Sequence, residues 1–210
     1  MNNYHKETPM RLKHIMISGL TLLIAITGFG QDLQVGNAAP DFSLNDPNGK
    51  VHQLKEYRGK YVVLEWVNYD CPFVKKHYDS GNMQSLQKKY TGKDVIWLAI
   101  NSSASGKQGN FSADEILRRS KDHGAGFSAY LIDADGQVGR AYGARTTPHI
   151  FIIDPQGQLV YAGGIDNIRS TKIEDISRAK NFVSLALDEA LAGQPISNSI
   201  SKPYGCSVKY

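Results

Sequence analysis

Two residues in this 210-residue sequence can do sulfur chemistry, Cys71 and Cys206, and they sit in unlike surroundings. Cys71 follows Asn68-Tyr69-Asp70 and precedes Pro72, where an apolar, β-rich run from Tyr61 to Val67 gives way to a helix-favouring stretch. A cysteine between the carboxyl end of a strand and the start of a helix meets unpaired backbone N–H groups and the positive end of the helix dipole. Both stabilise thiolate over thiol. Pro72 suits the first helical position because it has no N–H to leave unpaired. Lys75, one turn on, adds positive potential, whereas Asp70 opposes it. The plain alternative for Cys71 is a small buried hydrophobe, as free cysteines commonly are.

A second local signal is Arg145-Thr146-Thr147-Pro148-His149, directly before a short apolar run from Ile150 to Ile153. Proline cannot donate to a central ladder, so Pro148 marks a turn, an edge or a cis peptide, or simply starts a strand. Cys206 lies in Lys202-Pro203-Tyr204-Gly205-Cys206-Ser207. Thiol exchange at one cysteine stops at a mixed disulfide or sulfenic acid unless another thiol resolves it. Cys206 is the internal candidate, because loop-closure cost rises only logarithmically with separation. Exchange with Cys71, a static staple, an intermolecular bridge and a free thiol are its four options. His77 stands off the helical face of Cys71, and with His149 it makes a Cys/His metal site only if the fold gathers them. No metal is assigned. Arg140 and Arg145 favour a thiolate only if they face it; surface arginine is the plainer reading.

Composition narrows the classes. The chain is 41% hydrophobic and 21% charged, which suits one ordinary globular domain with short extensions. Its 24 basic and 20 acidic residues leave a net charge of +4, and no Lys/Arg block is long enough to track a phosphate backbone, so nucleic acid is not expected as a partner. Two distant cysteines do not make a disulfide-knit miniprotein or a four-thiolate zinc site. Lys6, Arg11 and Lys13 precede an apolar stretch from Ile15 to Phe29 that ends in small residues, the layout of a secretory signal peptide over residues 1–30. A membrane is a partner only if this segment stays uncleaved. The expected location is exported, periplasmic or extracellular, where disulfides persist.

The elements that position these residues follow from periodicity. Asp41–Leu44 and Val51–Leu54 flank Asn45-Asp46-Pro47-Asn48-Gly49 and read as an N-terminal β-hairpin. Tyr61–Val67, Val95–Ile100, Ala129–Ile132 and Ile150–Ile153 read as strands, and Leu159–Ala162 as the second arm of a hairpin. Pro72–Tyr90 is helical with a break or kink at Ser80-Gly81-Asn82, and Ala113–His123 is a further helix after a Gly/Ser/Asn-rich surface loop over 101–112. Ile173, Ile176, Val183, Leu187 and Leu191 predict one long amphipathic helix over 172–192. Residues 193–210 read as a polar tail. Strands alternating with helices predict an α/β sandwich with a mixed central sheet.

The order of these pieces resembles the thioredoxin-like superfamily, in particular its peroxiredoxin-like branch related to alkyl hydroperoxide reductase and thiol-specific antioxidant proteins. The resemblance spans about Val35–Ala192 and is carried by Gly36-Asn37-Ala38-Ala39-Pro40-Asp41-Phe42, Cys71-Pro72-Phe73-Val74 and Thr147-Pro148. It implies a three-layer thioredoxin-like domain over 31–192, followed by a C-terminal tail over 193–210. It also implies a cis peptide before Pro148 facing the sulfur, with Pro72, Thr147 and Pro148 contacting a bound thiol or peptide. Val74 stands where thioredoxin-type enzymes carry a second cysteine, and Leu64 and Asn68 stand where peroxiredoxins carry proline and threonine.

The expected function is an exported thiol-dependent oxidoreductase with Cys71 as the attacking thiolate and Cys206 as the candidate resolving thiol, acting on disulfides, thiols or peroxides. No glycine-rich phosphate loop suggests a nucleotide or flavin, so no cofactor is expected and reducing equivalents come from an external protein or small-molecule thiol. A binding or scaffold protein that kept the fold, and a peroxiredoxin-type peroxidase, are the alternatives.

Overall fold

The computed structural model describes residues 1, 2 and 33–210; the expected signal peptide lies outside the described residues apart from its first two. No helix among the described residues is long and apolar enough to cross a membrane. The apolar run after Tyr61 forms β3 (Val62–Trp66), buried on both faces. It pairs in parallel with β4 (Ile96–Asn101) on one side and antiparallel with β7 (His149–Ile153) on the other. β5 (Ala129–Ile132) extends the parallel side, and the hairpin β1 (Ser43–Asn45) and β2 (Val51–Gln53) joins beyond it. β8 (Leu159–Gly163) closes the far edge, giving the order β2-β1-β5-β4-β3-β7-β8. The sheet is mixed, as strand–helix alternation predicts.

Strand alternation divides the core. Val63, Trp97, Ile150 and Ile152 pack under α1 (Pro72–Asp79), α2 (Asn82–Thr91) and α5 (Phe182–Leu191), joined by Ile116 of α3 (Ala113–Asp122). Leu64, Trp66, Leu98 and Phe151 face the opposite layer, where Phe42, Leu54 and Tyr142 cover them beside the short helix α4 (Gln137–Ala141). The break between α1 and α2 falls at Gly81, whose φ of +73° is a conformation glycine adopts without a Cβ penalty. The segment after β4 begins buried rather than on the surface: the Trp66 indole donates to Ser102 Oγ at 2.9 Å and the Asn101 amide donates to the Val67 carbonyl at 2.8 Å.

Two further expectations are corrected. The long helix over 172–192 is instead a 3-10 segment, Ile173–Arg178, and then α5. Ala179 is extended between them, and Asn181 caps α5 by accepting the Ser184 N–H at 2.9 Å. Asn–Ser capping chemistry overrides the apolar spacing, and Ile173 is left exposed. Nor is the tail over 193–210 unpacked. Residues 199–201 run beside β8, with Ala162 N–H donating to Ser199 and Ser201 N–H donating to Ala162. Tyr204 is buried, and β9 (Cys206–Ser207) pairs antiparallel with β6 (Thr146–Thr147).

Candidate active site

Cys71 is the N-cap of α1, in extended conformation, with Pro72 as the first helical residue. The turn that delivers it is tied at several points. The Cys71 N–H donates to the Asn68 carbonyl at 2.9 Å, the Asp70 N–H donates to Asn68 Oδ1 at 3.0 Å, and the Asn68 amide donates to the Gln108 carbonyl at 3.3 Å. The side chain of Asp70 is engaged by Arg119 at 2.7 Å, which offsets a negative charge next to the thiol. Lys75 is exposed, as is Arg145, and Arg140 stacks on Tyr210 at 4.5 Å while donating to the Asp135 carbonyl.

The Cys71 sulfur faces the loop before β7. Its thiol donates to the Thr147 carbonyl at 3.0 Å, and the peptide between Thr147 and Pro148 is cis. Cys206 is the register partner of Thr147, so the pairing of β6 with β9 brings the second cysteine to the first. Both are free thiols, Cys71 without exposed surface and Cys206 half-buried. Burial pushes the Cys71 thiol up, but hydrogen bonds from the Cys206 thiol, the Thr147 side chain and the backbone N–H groups of Cys206 and Val74 outweigh it and hold it below the ordinary range. Cys206 goes the other way: burial, then the hydrogen bond and charge of Cys71, push it up to about 12. The two shifts favour placing the negative charge on Cys71 and the proton on Cys206. Thr147 Oγ1 is buried and has no hydrogen-bond partner among the described residues, leaving its hydroxyl available to a thiolate.

The histidines lie elsewhere. His77 is buried between Tyr204 and Asn82, with burial pushing it down to about 4, and His149 accepts the Arg145 N–H beside the Phe151 ring. Among the described residues no cluster of His, Cys, Asp and Glu is arranged to hold a metal ion.

Two features near the site go beyond the sequence reading. Glu65 is fully buried in β3, where Tyr78 Oη donates to it at 2.9 Å, Trp97 Nε1 at 2.8 Å and Gln87 Nε2 at 3.1 Å. The signal was a lone charge inside a strand covered on both faces. Burial raises its carboxyl to about 7, against those three hydrogen bonds. Glu65 therefore binds its proton more tightly folded than unfolded. The stability this gives is fully present below the ordinary value of 4.5 and is lost as pH rises through about 7. Denaturant melts of wild type and Glu65→Gln at pH 4 and pH 8 should show their stability difference changing by about 3 kcal/mol in favour of the variant at the higher pH. A constant difference would mean that Glu65 titrates alike in both states.

The second feature anchors the tail. Tyr204 Oη donates to Asp166 at 2.5 Å and lies 3.4 Å from Lys76 Nζ and 3.3 Å from His77 Nε2. Lys76, buried on α1, also donates to Asp166 at 3.4 Å and to the Ile168 carbonyl at 3.1 Å. The hydroxyl and ring of Tyr204, two residues before Cys206, were the available signal.

Comparison with known proteins agrees with this architecture. The Thiol-disulfide oxidoreductase ResA of Bacillus subtilis (strain 168) is 29% identical over 154 residues, which cover 73% of this chain and 80% of that protein. The crystal structure of a hypothetical protein from Sinorhizobium meliloti 1021 matches with a TM-score of 0.72 at 27% identity, covering 86% of this chain and 96% of the other. An uncharacterized conserved protein from Geobacillus kaustophilus matches with a TM-score of 0.71 at 30% identity, covering 85% and 93%. Residues 35–162, which hold β3, Cys71 and the Thr147-Pro148 loop, match the AhpC/TSA family, and the chain belongs to that family within the thioredoxin-like superfamily.

Proposed function

We propose that this protein is an exported thiol-dependent oxidoreductase that reduces disulfides through Cys71 and Cys206. The observation that carries the reading is the meeting of the Cys71 thiol, the Thr147 carbonyl and the Cys206 strand at one end of the sheet. The Cys71 thiolate attacks one sulfur of a substrate disulfide, forming a mixed disulfide and releasing the other sulfur as a thiolate. Cys206 then gives up its proton and attacks the Cys71 sulfur, closing a Cys71–Cys206 disulfide and releasing the second substrate thiolate. The substrate gains two electrons and the cysteine pair loses them; an external protein or small-molecule thiol reductant restores the pair. Thr147 and Pro148 border the thiol and Pro72 flanks it, so these three are the proposed substrate contacts.

Disulfide chemistry is favoured over peroxide chemistry by Asn68, whose side chain is engaged by Asp70 and Gln108 at the position where peroxiredoxins carry a hydroxyl. Similarity to ResA, a named thiol-disulfide oxidoreductase, supports the same choice. Residues 1–30 are the proposed cleaved signal, 31–192 the redox domain and 193–210 the tail bearing the resolving thiol.

Incubation with oxidised glutathione followed by intact mass and peptide mapping tests the scheme. Wild type should lose two hydrogens and yield a Cys71–Cys206 linked peptide, whereas Cys206→Ser should stop at a glutathione adduct on Cys71. A stable adduct on Cys71 in wild type would remove Cys206 from the mechanism.

A further inference from the structure

The last residues of the chain lie where an incoming polypeptide would have to lie. Cys71 has no exposed surface, so an external sulfur reaches it only when the segment covering it lifts. Besides the side chains of Tyr204 and Tyr210, that segment is bound through its backbone to the loop before β7 and to the segment after β4. Ser207 and Cys206 pair antiparallel with Thr146 and Thr147, the Val208 N–H donates to the Arg145 carbonyl at 3.1 Å, and the Ala104 N–H donates to the Lys209 carbonyl at 2.8 Å. Strand addition of this kind takes any extended chain through its N–H and C=O groups and leaves selection to a few side-chain positions.

Three positions are selective. Gly205, at φ +150°, comes so near the loop that a Cβ there would lie 2.1 Å from the Thr147 carbonyl oxygen, so the residue before the cysteine must be glycine. Cys206 places its sulfur by that of Cys71. Tyr204 fills a cleft formed by Phe73, whose ring lies 5.7 Å away, and by the buried polar groups of Lys76, His77 and Asp166, which need an aromatic side chain with a hydroxyl.

From this arrangement we infer that residues 204–207 hold the place of the substrate chain. The intermolecular substrate is an extended segment of a polypeptide with the order Tyr-Gly-Cys, which displaces the tail and pairs with Thr146–Thr147. This names the substrate class for the oxidoreductase reading and rests on it. The resting protein thus carries its own competitor, and the apparent affinity for such a segment is reduced by the fraction of time the tail is seated.

The probe is a labelled peptide, Lys-Pro-Tyr-Gly-Ser-Ser-Val, in which serine replaces cysteine so that no disulfide exchange can occur. Added in excess to the full-length wild-type protein, it should accelerate backbone amide exchange over residues 204–209. It should also bind Gly205→Ala, in which the new methyl group forces the tail from the Thr147 carbonyl, about tenfold more tightly than wild type. The same peptide with alanine in place of glycine should bind neither. Unchanged tail exchange in wild type at saturating peptide, or equal binding of the glycine and alanine peptides, would overturn the inference. The wild-type measurement decides the matter even if Gly205→Ala fails to fold. Because the probe carries no sulfur, peptide binding alongside absent disulfide reduction would count against the oxidoreductase reading alone. Disulfide reduction without peptide binding would count against the substrate strand alone.

Discussion

Cys71→Ser is expected to lower the rate of disulfide reduction by at least about a thousandfold, corresponding to roughly 4 kcal/mol of lost transition-state stabilisation. A serine hydroxyl in the same place is not ionised near neutral pH, and neither the Thr147 hydroxyl nor the N–H groups that hold down the Cys71 thiol bring it within reach of ionisation. Cys206→Ser should behave differently. The first attack survives, so one equivalent of substrate thiolate appears in a burst and turnover then stops. Assays of disulfide reduction and peroxide decay, run side by side on wild type and both variants, read the two effects together. Equal disulfide-reduction rates in wild type and Cys71→Ser would remove Cys71 from the mechanism. Peroxide decay that depends on Cys71, with no disulfide reduction, would reassign the chemistry.

Asp166→Ala is expected to destabilise the fold by about 3–5 kcal/mol, because it leaves the ammonium of Lys76, which has no exposed side-chain surface, without its carboxylate. Tyr204→Phe removes one hydroxyl and leaves the ion pair, so it should cost about 1–3 kcal/mol. The order of the two effects is the informative part. Urea melts give both, and alkylation of Cys71 by iodoacetamide should quicken in each variant as the tail loses its anchor. A cost below about 1 kcal/mol for Asp166→Ala would mean that Lys76 reaches water when its partner is gone.

Much of this site is readable from local punctuation. The apolar run ending at Val67, the turn Asn68-Tyr69-Asp70 and the helix-starting Pro72 put Cys71 at a strand–helix junction without knowledge of any distant residue. The Thr-Pro before Ile150 likewise marks its own turn. What escaped depends on partners far along the chain. Glu65 reads as one charge in an apolar strand, and only Tyr78, Gln87 and Trp97, from three other elements, make it a satisfied buried carboxyl. Lys76 and Asp166 are 90 residues apart and look like ordinary surface charges until Tyr204 joins them. The tail lacks a helical or strand period because its packing is done by single residues: Ser201 on Tyr161, Tyr204 on Asp166, and Tyr210 on the Ala144 carbonyl. The expected helix over 172–192 fails for the related reason that apolar spacing cannot register a cap such as Asn181.

The course of residues 199–201 along β8 has a consequence for aggregation. An outermost strand with open N–H and C=O groups is a template on which sticky polypeptides accumulate. Here that flank is already taken by the chain itself, and the opposite flank is the three-residue β2. An extended polypeptide therefore finds little to nucleate on along the long sides of the sheet.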